Sequence, residues 1–570
     1  MKRILCAGAA ATVTGLALVL VVPTPSTAAP AAAASTEYTV VAEDGVAAAA
    51  AAAAITAAGG TIVSRNDGVG VFRVVSAKAD FASRVAAADA LIGASARRPI
   101  GYSPRQLERE SVAAEVATAN GAQAGRRGAA SADPLDDRLW GLDMIRAEQA
   151  RRVEPGERGV RVGILDTGLD ASHPDLAPNF SARLSRNFAP DKIDVDGPCE
   201  VASCVDPVGT DDNGHGTHVA GTIGAAVNGV GVSGIAPKVT LVGLKSGQDS
   251  GYFFLEPVVN ALTYAGDAGL DVVNMSFYVD PWLYNCLNNP ADSPTAQAEQ
   301  RAIIRAMSRA LTYAHVRGVT LVGSLGNNHE DLGDPRVDTS SPDYGAPPYD
   351  RPIDNDTCWD LPVEGPFVIG VSAVGPSGSK ADYSNYGVEQ TEVAAPGGFV
   401  RDFFGTPQFN TRANAILSSY PLAPLQAQLI PNTTDPVVDE AGNIDPRAAT
   451  YVFRDCSTGT CGYYTYLQGT SMAAPHASGV AALIVSRFGG RDVRRGGVTL
   501  LPALVQQHLY RTAAEHACPQ PRLRSYVPEG RSVEFDAYCE GGENFNGFYG
   551  YGIVDAHAAV TTPLRPWIRP

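Results

Sequence analysis

From about residue 133 onward, apolar runs with the character of strands alternate with segments of helical character. The runs include VRVGILDTG, VTLVGL, DVVNMSF, VTLVGSLGN and FVIGVSAV, and helical segments such as FLEPVVNALTYAGDAG lie between them. A strand that is apolar throughout must be buried on both faces, and helices that connect parallel strands provide that cover. The alternation therefore predicts an α/β fold with a doubly wound, mostly parallel sheet over residues 132–562.

The chain has 570 residues, of which 45% are apolar and 18% charged, with a net charge of −16. This is an ordinary globular composition with enough apolar residues for a large core. The acidic balance argues against general nucleic-acid binding, which requires a basic face, although local basic patches remain possible. Nothing in the sequence demands more than a monomer.

The N-terminus has the organisation of a secretory signal peptide. A positive start, MKR, precedes the apolar stretch ILCAGAAATVTGLALVLVV and a region of small residues in which cleavage near Ala28 to Ala33 is expected. Residues 1–29 are therefore predicted to be a signal and the mature protein to be exported. Cys6 lies at the near end of the apolar stretch, which argues against a lipid anchor. After signal removal, no membrane attachment is expected, because no other stretch is long and apolar enough to span a bilayer.

Removal of the signal leaves eight cysteines, an even number that favours disulfides in an exported chain. Their spacing favours two tight clips, followed by two longer bridges, although many other pairings remain open. The favoured pairs are Cys199 with Cys204, Cys456 with Cys461, Cys518 with Cys539 and Cys286 with Cys358.

Residues 37–103 have the pattern of a small separate domain. A strand, a helix ending at Gly59-Gly60, a hairpin, a second helix over ADFASRVAAADALI and a closing strand near RRPIGYS give the order βαββα plus a strand. This order predicts an α+β, ferredoxin-like sandwich. The alternative is that the alanine run is a low-complexity spacer. Residues 104–131 are polar and alanine-rich, which predicts an exposed connector with Arg126-Arg127 open to processing.

Four side chains capable of acyl-transfer chemistry follow apolar segments of the large domain. They are Asp166, His215, Asn327 and Ser471. An imidazole activates a serine hydroxyl, a carboxylate orients that imidazole, and an amide stabilises an oxyanion. For Ser471, which opens a small apolar helix, the alternative is a simple helix N-cap.

The motifs ILDTGLDASHPDL, HGTHVAGT and GTSMAAPHASG occur in that order, and the chain resembles the subtilisin-like serine proteases. The resemblance covers residues 133–560 and includes the closing segment YGYGIVDAHAAV. It implies an endopeptidase for polypeptide substrates, made as a zymogen whose 37–103 domain is an intramolecular inhibitor. By the same resemblance, Asp166 orients, His215 is the general base, Ser471 the nucleophile, Asn327 the oxyanion donor and His218 a structural histidine.

The resemblance also implies a structural calcium site in the loop GAAVNGVGVSGIAP. Its ligands would be the side chains of Asp175 and Asn228 and the carbonyls of Ala226, Val230 and Val232, with Asp133 closing the site. Such oxygen ligands suit Ca²⁺. A glycine turn without metal remains the alternative.

Substrate recognition departs from the family pattern. After NMS, the family has an apolar residue and glycines that open the pocket, whereas this chain continues Ser276-Phe277-Tyr278. Ser250-Gly251 resembles the edge segment that pairs with the substrate backbone. Two additions, 279–300 and 423–465, are expected to form loops near the cleft, the second held by Cys456 and Cys461.

Two other functional classes remain open. Asp166, His215 and His218 are possible zinc ligands of a metallohydrolase, a reading that leaves Ser471 and Asn327 unexplained. A catalytically silent binding protein on a protease fold is the second class, because a fold alone does not prove activity.

Overall fold

The computed structural model describes residues 35–97, 99–102, 133–277, 281–342 and 347–565. The predicted signal peptide, 1–29, and the connector, 104–131, lie outside the described residues, as does Tyr278. No helix in the described ranges is long and apolar enough to cross a membrane.

The helices are distributed over a small N-terminal domain and a large domain. They are α1 Ala48–Ala58, α2 Phe81–Ala86, α3 Trp140–Met144, α4 Ala147–Val153, α5 His215–Gly224, α6 Leu255–Ala268, α7 Pro294–Val316, α8 Leu422–Ala427, α9 Thr470–Phe488, α10 Pro502–Thr512 and α11 Ala556–Thr561. Short 3-10 turns occur at Asp136–Arg138, Arg412–Asn414 and Val533–Phe535.

The strands form one large parallel sheet and several small antiparallel ones. They are β1 Thr36–Ala42, β2 Thr61–Asn66, β3 Val71–Ser76, β4 Leu91–Ala96, β5 Pro99–Tyr102, β6 Arg161–Asp166, β7 Arg186–Asn187, β8 Thr240–Lys245, β9 Tyr252–Phe254, β10 Val272–Met275, β11 Asn285–Cys286, β12 Thr320–Ser324, β13 Val337–Asp338, β14 Arg351–Pro352, β15 Cys358–Trp359, β16 Val368–Val374, β17 Val393–Pro396, β18 Ile416–Tyr420, β19 Val452–Asp455, β20 Gly462–Leu467, β21 Gly490–Arg491, β22 Val498–Thr499, β23 Leu523–Arg524 and β24 Ala537–Tyr538.

The N-terminal domain is a four-stranded antiparallel sheet of order β2-β3-β1-β4 with two helices. This confirms the small α+β domain. The alanine run is not a spacer, because it forms α1, which buries Ala51 and Ile55 and ends at Gly59 with φ 96°. A left-handed residue at a helix end favours glycine.

The end of this domain differs from the sequence prediction. The second helix stops at Ala86, and residues 91–96 form β4, which fills the place beside β1. Because that place is taken by a strand with buried Leu91 and Ala94, the predicted closing strand, β5, pairs instead with β9 of the large domain.

The large domain contains a seven-stranded sheet of order β17-β16-β12-β10-β6-β8-β7, and every neighbouring pair is parallel. The predicted doubly wound α/β fold is confirmed. Strands β6, β10 and β12 are adjacent, so their carboxyl ends meet at one edge. In open sheets of this kind, functional side chains gather at that edge.

Alternate residues of the central strands pack into different cores because side chains on a strand alternate between faces. Ile164, Val272 and Val322 belong to the core around α5 and α9, and Leu165, Val273 and Leu321 to the core around α6 and α7. Both faces are therefore covered by helices.

The four predicted disulfides are confirmed: Cys199–Cys204, Cys286–Cys358, Cys456–Cys461 and Cys518–Cys539. The 423–465 addition is more ordered than the predicted loop, because β19 and β20 flank the Cys456–Cys461 clip and pair in a sheet of order β18-β20-β19.

Candidate active site

The side chains of Asp166 and His215 meet where β6 ends and α5 begins. Nδ1 of His215 lies 2.8 Å from Oδ1 of Asp166, and the same oxygen accepts a hydrogen bond from the Thr167 amide. Both side chains are buried, and Nε2 of His215 has no hydrogen-bond partner among the described residues. With Nδ1 held by a carboxylate, Nε2 is the nitrogen that can accept a proton.

Asp211 supports this contact, and sequence reasoning did not identify it. Its carboxylate accepts hydrogen bonds from the hydroxyls of Thr167 and Thr217, at 3.0 and 2.6 Å, and from the Gly214 amide at 2.9 Å. It thereby joins the end of β6 to the start of α5. The motif DDNGHGTH was the available signal, since an aspartate ahead of a helix commonly binds its first amides.

Ser471 is the second residue of α9 and is 2% exposed. The helix N-cap is Gly469, and the Ser471 hydroxyl donates to the carbonyl of Ser276 at 3.2 Å, so the N-cap alternative is wrong. Pro475 has no N–H to bond the Ser471 carbonyl, which instead accepts from the Ser276 hydroxyl at 2.9 Å. These two hydrogen bonds between Ser471 and Ser276 hold the start of α9 against the end of β10.

Asn327 follows β12 and is held by the residue before Ser471. Its Oδ1 atom accepts hydrogen bonds from the amide and the hydroxyl of Thr470, both at 2.9 Å. The Thr470 hydroxyl also accepts from the Gly326 amide at 3.0 Å. Because Oδ1 faces Thr470, the NH₂ end of the amide is turned away from it, as an oxyanion donor requires.

His218 is buried one helical turn after His215. Its Nε2 atom lies 3.0 Å from the carbonyl of Ile416 and 3.2 Å from that of Thr465. Burial, followed by the nearby imidazole of His215, lowers the pKa of His218 to about 3. A neutral histidine donating to backbone carbonyls has a structural role. Asp166, His215 and His218 lie within the described residues but do not come close enough together to share a metal ion, which disfavours the zinc reading.

Of the residues expected to bind substrate, Ser250, Gly251, Ser276 and Phe277 belong to the described part of the chain. Ser250 and Gly251 immediately precede β9, which already pairs antiparallel with β5 through Tyr252↔Tyr102 and Phe254↔Pro99. This edge therefore accepts an extended strand. Phe277 does not point into an open cleft, since its ring stacks on Phe253 with centroids 4.1 Å apart.

The loop predicted to bind calcium is organised by two buried carboxylates. Oδ2 of Asp175 accepts from the Val232 amide at 3.1 Å, and Oδ1 of Asp133 from the Gly229 amide at 2.6 Å. Oδ1 of Asp175 and Oδ2 of Asp133 are buried without hydrogen-bond partners among the described residues. Asn228 donates to the Pro174 carbonyl, while its own oxygen accepts from the Val230 amide. Two orphaned carboxylate oxygens fit a cation.

A second place that could hold an ion was missed by sequence reasoning. Carboxylate oxygens of Asp191, Asp206 and Asp249 lie within 4.8 Å of one another, beside the ammonium of Lys245. Both oxygens of Asp191 are buried without a hydrogen-bond partner among the described residues, and burial followed by the charge of Asp206 raises the pKa of Asp191 to about 7. Of these three carboxylates, the acidic stretch DKIDVDG contains only Asp191, so no local pattern in the sequence indicates the full cluster.

Comparisons with known proteins identify the family. The model of the Subtilase family, Peptidase_S8, matches residues 157–552, more than half of the chain. The chain belongs to the subtilase family. Like the subtilisin relatives below, it is a subtilisin-like serine protease.

Among its relatives, the chain is 29% identical to Subtilisin DY of Bacillus licheniformis over 61% of this chain and 85% of that protein. It is 28% identical to the Thermostable alkaline protease of Halalkalibacterium halodurans, over 61% and 63% of the two chains. The fold is similar to that of the epidermin leader peptide processing serine protease of Staphylococcus aureus, with a TM-score of 0.59, 19% identity, and 94% and 100% of the chains covered.

Proposed function

We propose that this subtilase is a secreted endopeptidase that hydrolyses peptide bonds through Asp166, His215 and Ser471. The observation that supports this most is the 2.8 Å contact of His215 with Asp166, made at the same sheet edge as the Ser471–Ser276 exchange. A silent binding protein has no need of an imidazole whose second nitrogen is buried without a partner.

The structure contains no hydrogen bond between Ser471 and His215, because the Ser471 hydroxyl donates to the Ser276 carbonyl. In the proposed reaction this hydroxyl turns to Nε2 of His215, which takes its proton as the oxygen attacks the substrate carbonyl. Asp166 stabilises the imidazolium that forms. The oxyanion of the tetrahedral intermediate is stabilised by Asn327 and by amides at the start of α9, whose dipole is positive at that end. His215 then donates the proton to the leaving amine, and water hydrolyses the acyl-enzyme by the same steps.

The N-terminal domain is proposed to be an intramolecular inhibitor. It packs on α6 and α7, with Asn66 donating to Asn260 at 2.9 Å and Asp44 paired with Arg309 at 2.6 Å. Strand β5 pairs with β9, which is the edge proposed to bind the substrate backbone. Substrate cannot pair with this edge until β5 leaves it. In this proposal, residues 37–103 are the inhibitor, residues 104–131 the connector that is cleaved, and residues 132–562 the protease.

Secretion is supported by the signal-like N-terminus and by four disulfides, which persist in oxidising compartments. We further propose that Ca²⁺ stabilises the fold, either at Asp175 and Asp133 or at the Asp191 cluster, without a chemical step. Ca²⁺ should raise the melting temperature of the protein, and Asp175→Asn and Asp191→Asn should identify which site is responsible. Equal stabilisation of both variants and the wild type would overturn both sites.

The test of the proposed function is Ser471→Ala, with Ser457→Ala at an exposed serine as the control. The first variant should lose casein hydrolysis, labelling by a fluorophosphonate and shortening of the precursor, and the second should lose none of these. Hydrolysis that survives Ser471→Ala but disappears on zinc chelation would favour the metallohydrolase. A wild type that is folded but neither hydrolyses casein nor is labelled would be the silent binding protein.

A further inference from the structure

Asp360 is a buried carboxylate without a hydrogen-bond partner for its side chain. It is 1% exposed, and neither Oδ1 nor Oδ2 has a hydrogen-bond partner in the described part of the chain. Burial, followed by the negative charge of Glu364, raises the pKa of Asp360 well above its ordinary value. Since an unpaired buried carboxylate is costly, such a group in a native protein needs an explanation, and a cationic ligand that pairs with it is one.

The position of Asp360 is fixed by a clamped pair of strands. β11 and β15 pair antiparallel with Asn285 opposite Trp359, and the Cys286–Cys358 disulfide joins the next pair. Extending this register by one residue places Tyr284 opposite Asp360. The Tyr284 hydroxyl is likewise buried without a hydrogen-bond partner among the described residues, so two unpaired polar groups share this region.

This region adjoins the proposed oxyanion donor. A Cβ atom built on Gly326 would lie 3.5 Å from Oδ2 of Asp360, and Gly326 directly precedes Asn327. Gly326 also donates to Thr470, the neighbour of Ser471. If Asn327 is the oxyanion donor, the attacked carbonyl lies beside it, and the side chain of the residue carrying that carbonyl, which branches from the adjacent Cα atom, would lie near the Gly326 segment.

The charges around Asp360 do not balance it. The buried guanidinium of Arg351 pairs with Asp292 at 2.9 Å and with Asp338 at 2.8 Å, and it donates to the Tyr284 carbonyl at 3.2 Å. The positive charge of Arg351 is therefore balanced by Asp292 and Asp338 rather than by Asp360. Glu364 accepts from the Asp360 amide at 2.5 Å and adds negative charge.

We propose that Asp360 is the base of the pocket for the residue that precedes the scissile bond, and that it selects a cationic side chain, arginine or lysine. A guanidinium or ammonium entering beside Gly326 would supply the charge and the donors that the carboxylate lacks, and Tyr284 would accept a further hydrogen bond. This specificity rests on the proposed endopeptidase function, which it deepens.

The test compares peptide anilides that differ only in the residue before the cut: arginine, its neutral isostere citrulline, and phenylalanine. Truncating one partner of a buried charge pair generally costs about 2–5 kcal/mol, and each 1.4 kcal/mol is tenfold, so the wild type should prefer arginine over citrulline in kcat/KM by at least about 30-fold. Asp360→Asn should reduce this preference to within about fivefold, since an amide no longer distinguishes charge so strongly.

Asp356→Asn, at an exposed carboxylate on the same segment, is the matched control and should keep the wild-type preference. Fluorophosphonate titration normalises each preparation to competent Ser471. A wild type that cleaves the phenylalanine or citrulline substrate as well as arginine overturns the pocket assignment but not the endopeptidase. A wild type that is neither labelled nor active on any substrate overturns the proposed function as well.

If Asp360→Asn does not fold, inhibition of the wild type alone still tests the proposal. Benzamidine, a soluble cation, should inhibit competitively, whereas neutral benzamide should bind at least about 10-fold more weakly because it cannot pair with a carboxylate. Equal inhibition by the two compounds would overturn the proposal.

Discussion

Oδ1 of Asp166, at the carboxyl end of β6, lies 2.8 Å from Nδ1 of His215, and this contact fixes which ring nitrogen can act as a base. We expect Asp166→Asn to reduce kcat by about 10⁴-fold, the loss known from triads of this type, because an amide favours the wrong tautomer. The measurement is kcat together with the thermal transition, which should change little. Asp170→Asn should leave both unchanged, since that carboxylate bonds Ser172 instead.

Asn327→Ala should mainly affect the transition state. Removing an oxyanion donor costs about 10²–10³ in kcat, with little change in KM, because the ground-state carbonyl makes the weaker contact. Steady-state kinetics on one peptide substrate separates the two parameters. Asn328→Ala is the control, and an Asn327→Ala variant that changes only KM would contradict the assigned role.

Much of the fold and of the proposed triad was predictable from sequence. The buried parallel strands require apolar runs, and Asp166 and Asn327 come at the ends of such runs, so their location at the carboxyl edge of the sheet could be expected. Ser471 and His215 begin helices whose small residues are a visible signal. Local patterns of this kind can be recognised in a single sequence.

The contacts that depend on distant register were not predictable. The sequence pattern assigns Leu91 and Ile92 to the end of the second helix, whereas the structure places them in β4, which pairs with β1. Asp360 has no local pattern at all, because its burial follows from the β11–β15 pairing and from the Cys286–Cys358 bridge. Long-range pairings of this kind are decided by packing rather than by propensity.

The Cys286–Cys358 bridge should matter to specificity as well as to stability. It closes a sequence separation of 72 residues, for which chain entropy predicts about 4 kcal/mol, and it clamps Tyr284 opposite Asp360. The double Cys→Ser variant should therefore unfold at lower denaturant and show a smaller preference for arginine over citrulline. Removing Cys456–Cys461, which lies in the β19–β20 hairpin, should leave the preference unchanged.

Maturation offers a test on the protein's own chain. β5 ends at Tyr102, and residues 103–132 contain four basic residues, Arg105, Arg109, Arg126 and Arg127. A protease selective for cations that processes itself should begin its mature form directly after one of them, as N-terminal sequencing will show. Replacing all four by Gln should slow maturation, whereas replacing Glu108, Glu110 and Glu115 by Gln should not. A mature terminus after an uncharged residue would contradict self-processing with this specificity.

Lys380 gives a prediction for stability against pH. It is 1% exposed, donates to the Ala381 carbonyl at 3.0 Å, and lies among the rings of Tyr386, Tyr526 and Phe548. Burial lowers the pKa of Lys380 from 10.5 to about 7, although the charge of Asp382 opposes this shift.

Between these two pKa values the unfolded chain holds a proton that the folded protein does not, so the free energy of unfolding rises with pH. Below pH 7 both states are protonated, and the full cost of burying the charge is present. The wild type should therefore gain stability relative to Lys380→Met from pH 7 to 10.5 by at most about 1.4 kcal/mol per pH unit. Denaturant unfolding of both proteins in a Ser471→Ala background, which prevents self-digestion, measures this difference.

Lys238→Met, at an exposed lysine, should show no such slope, and a flat difference for Lys380→Met would mean that the ammonium stays charged when buried.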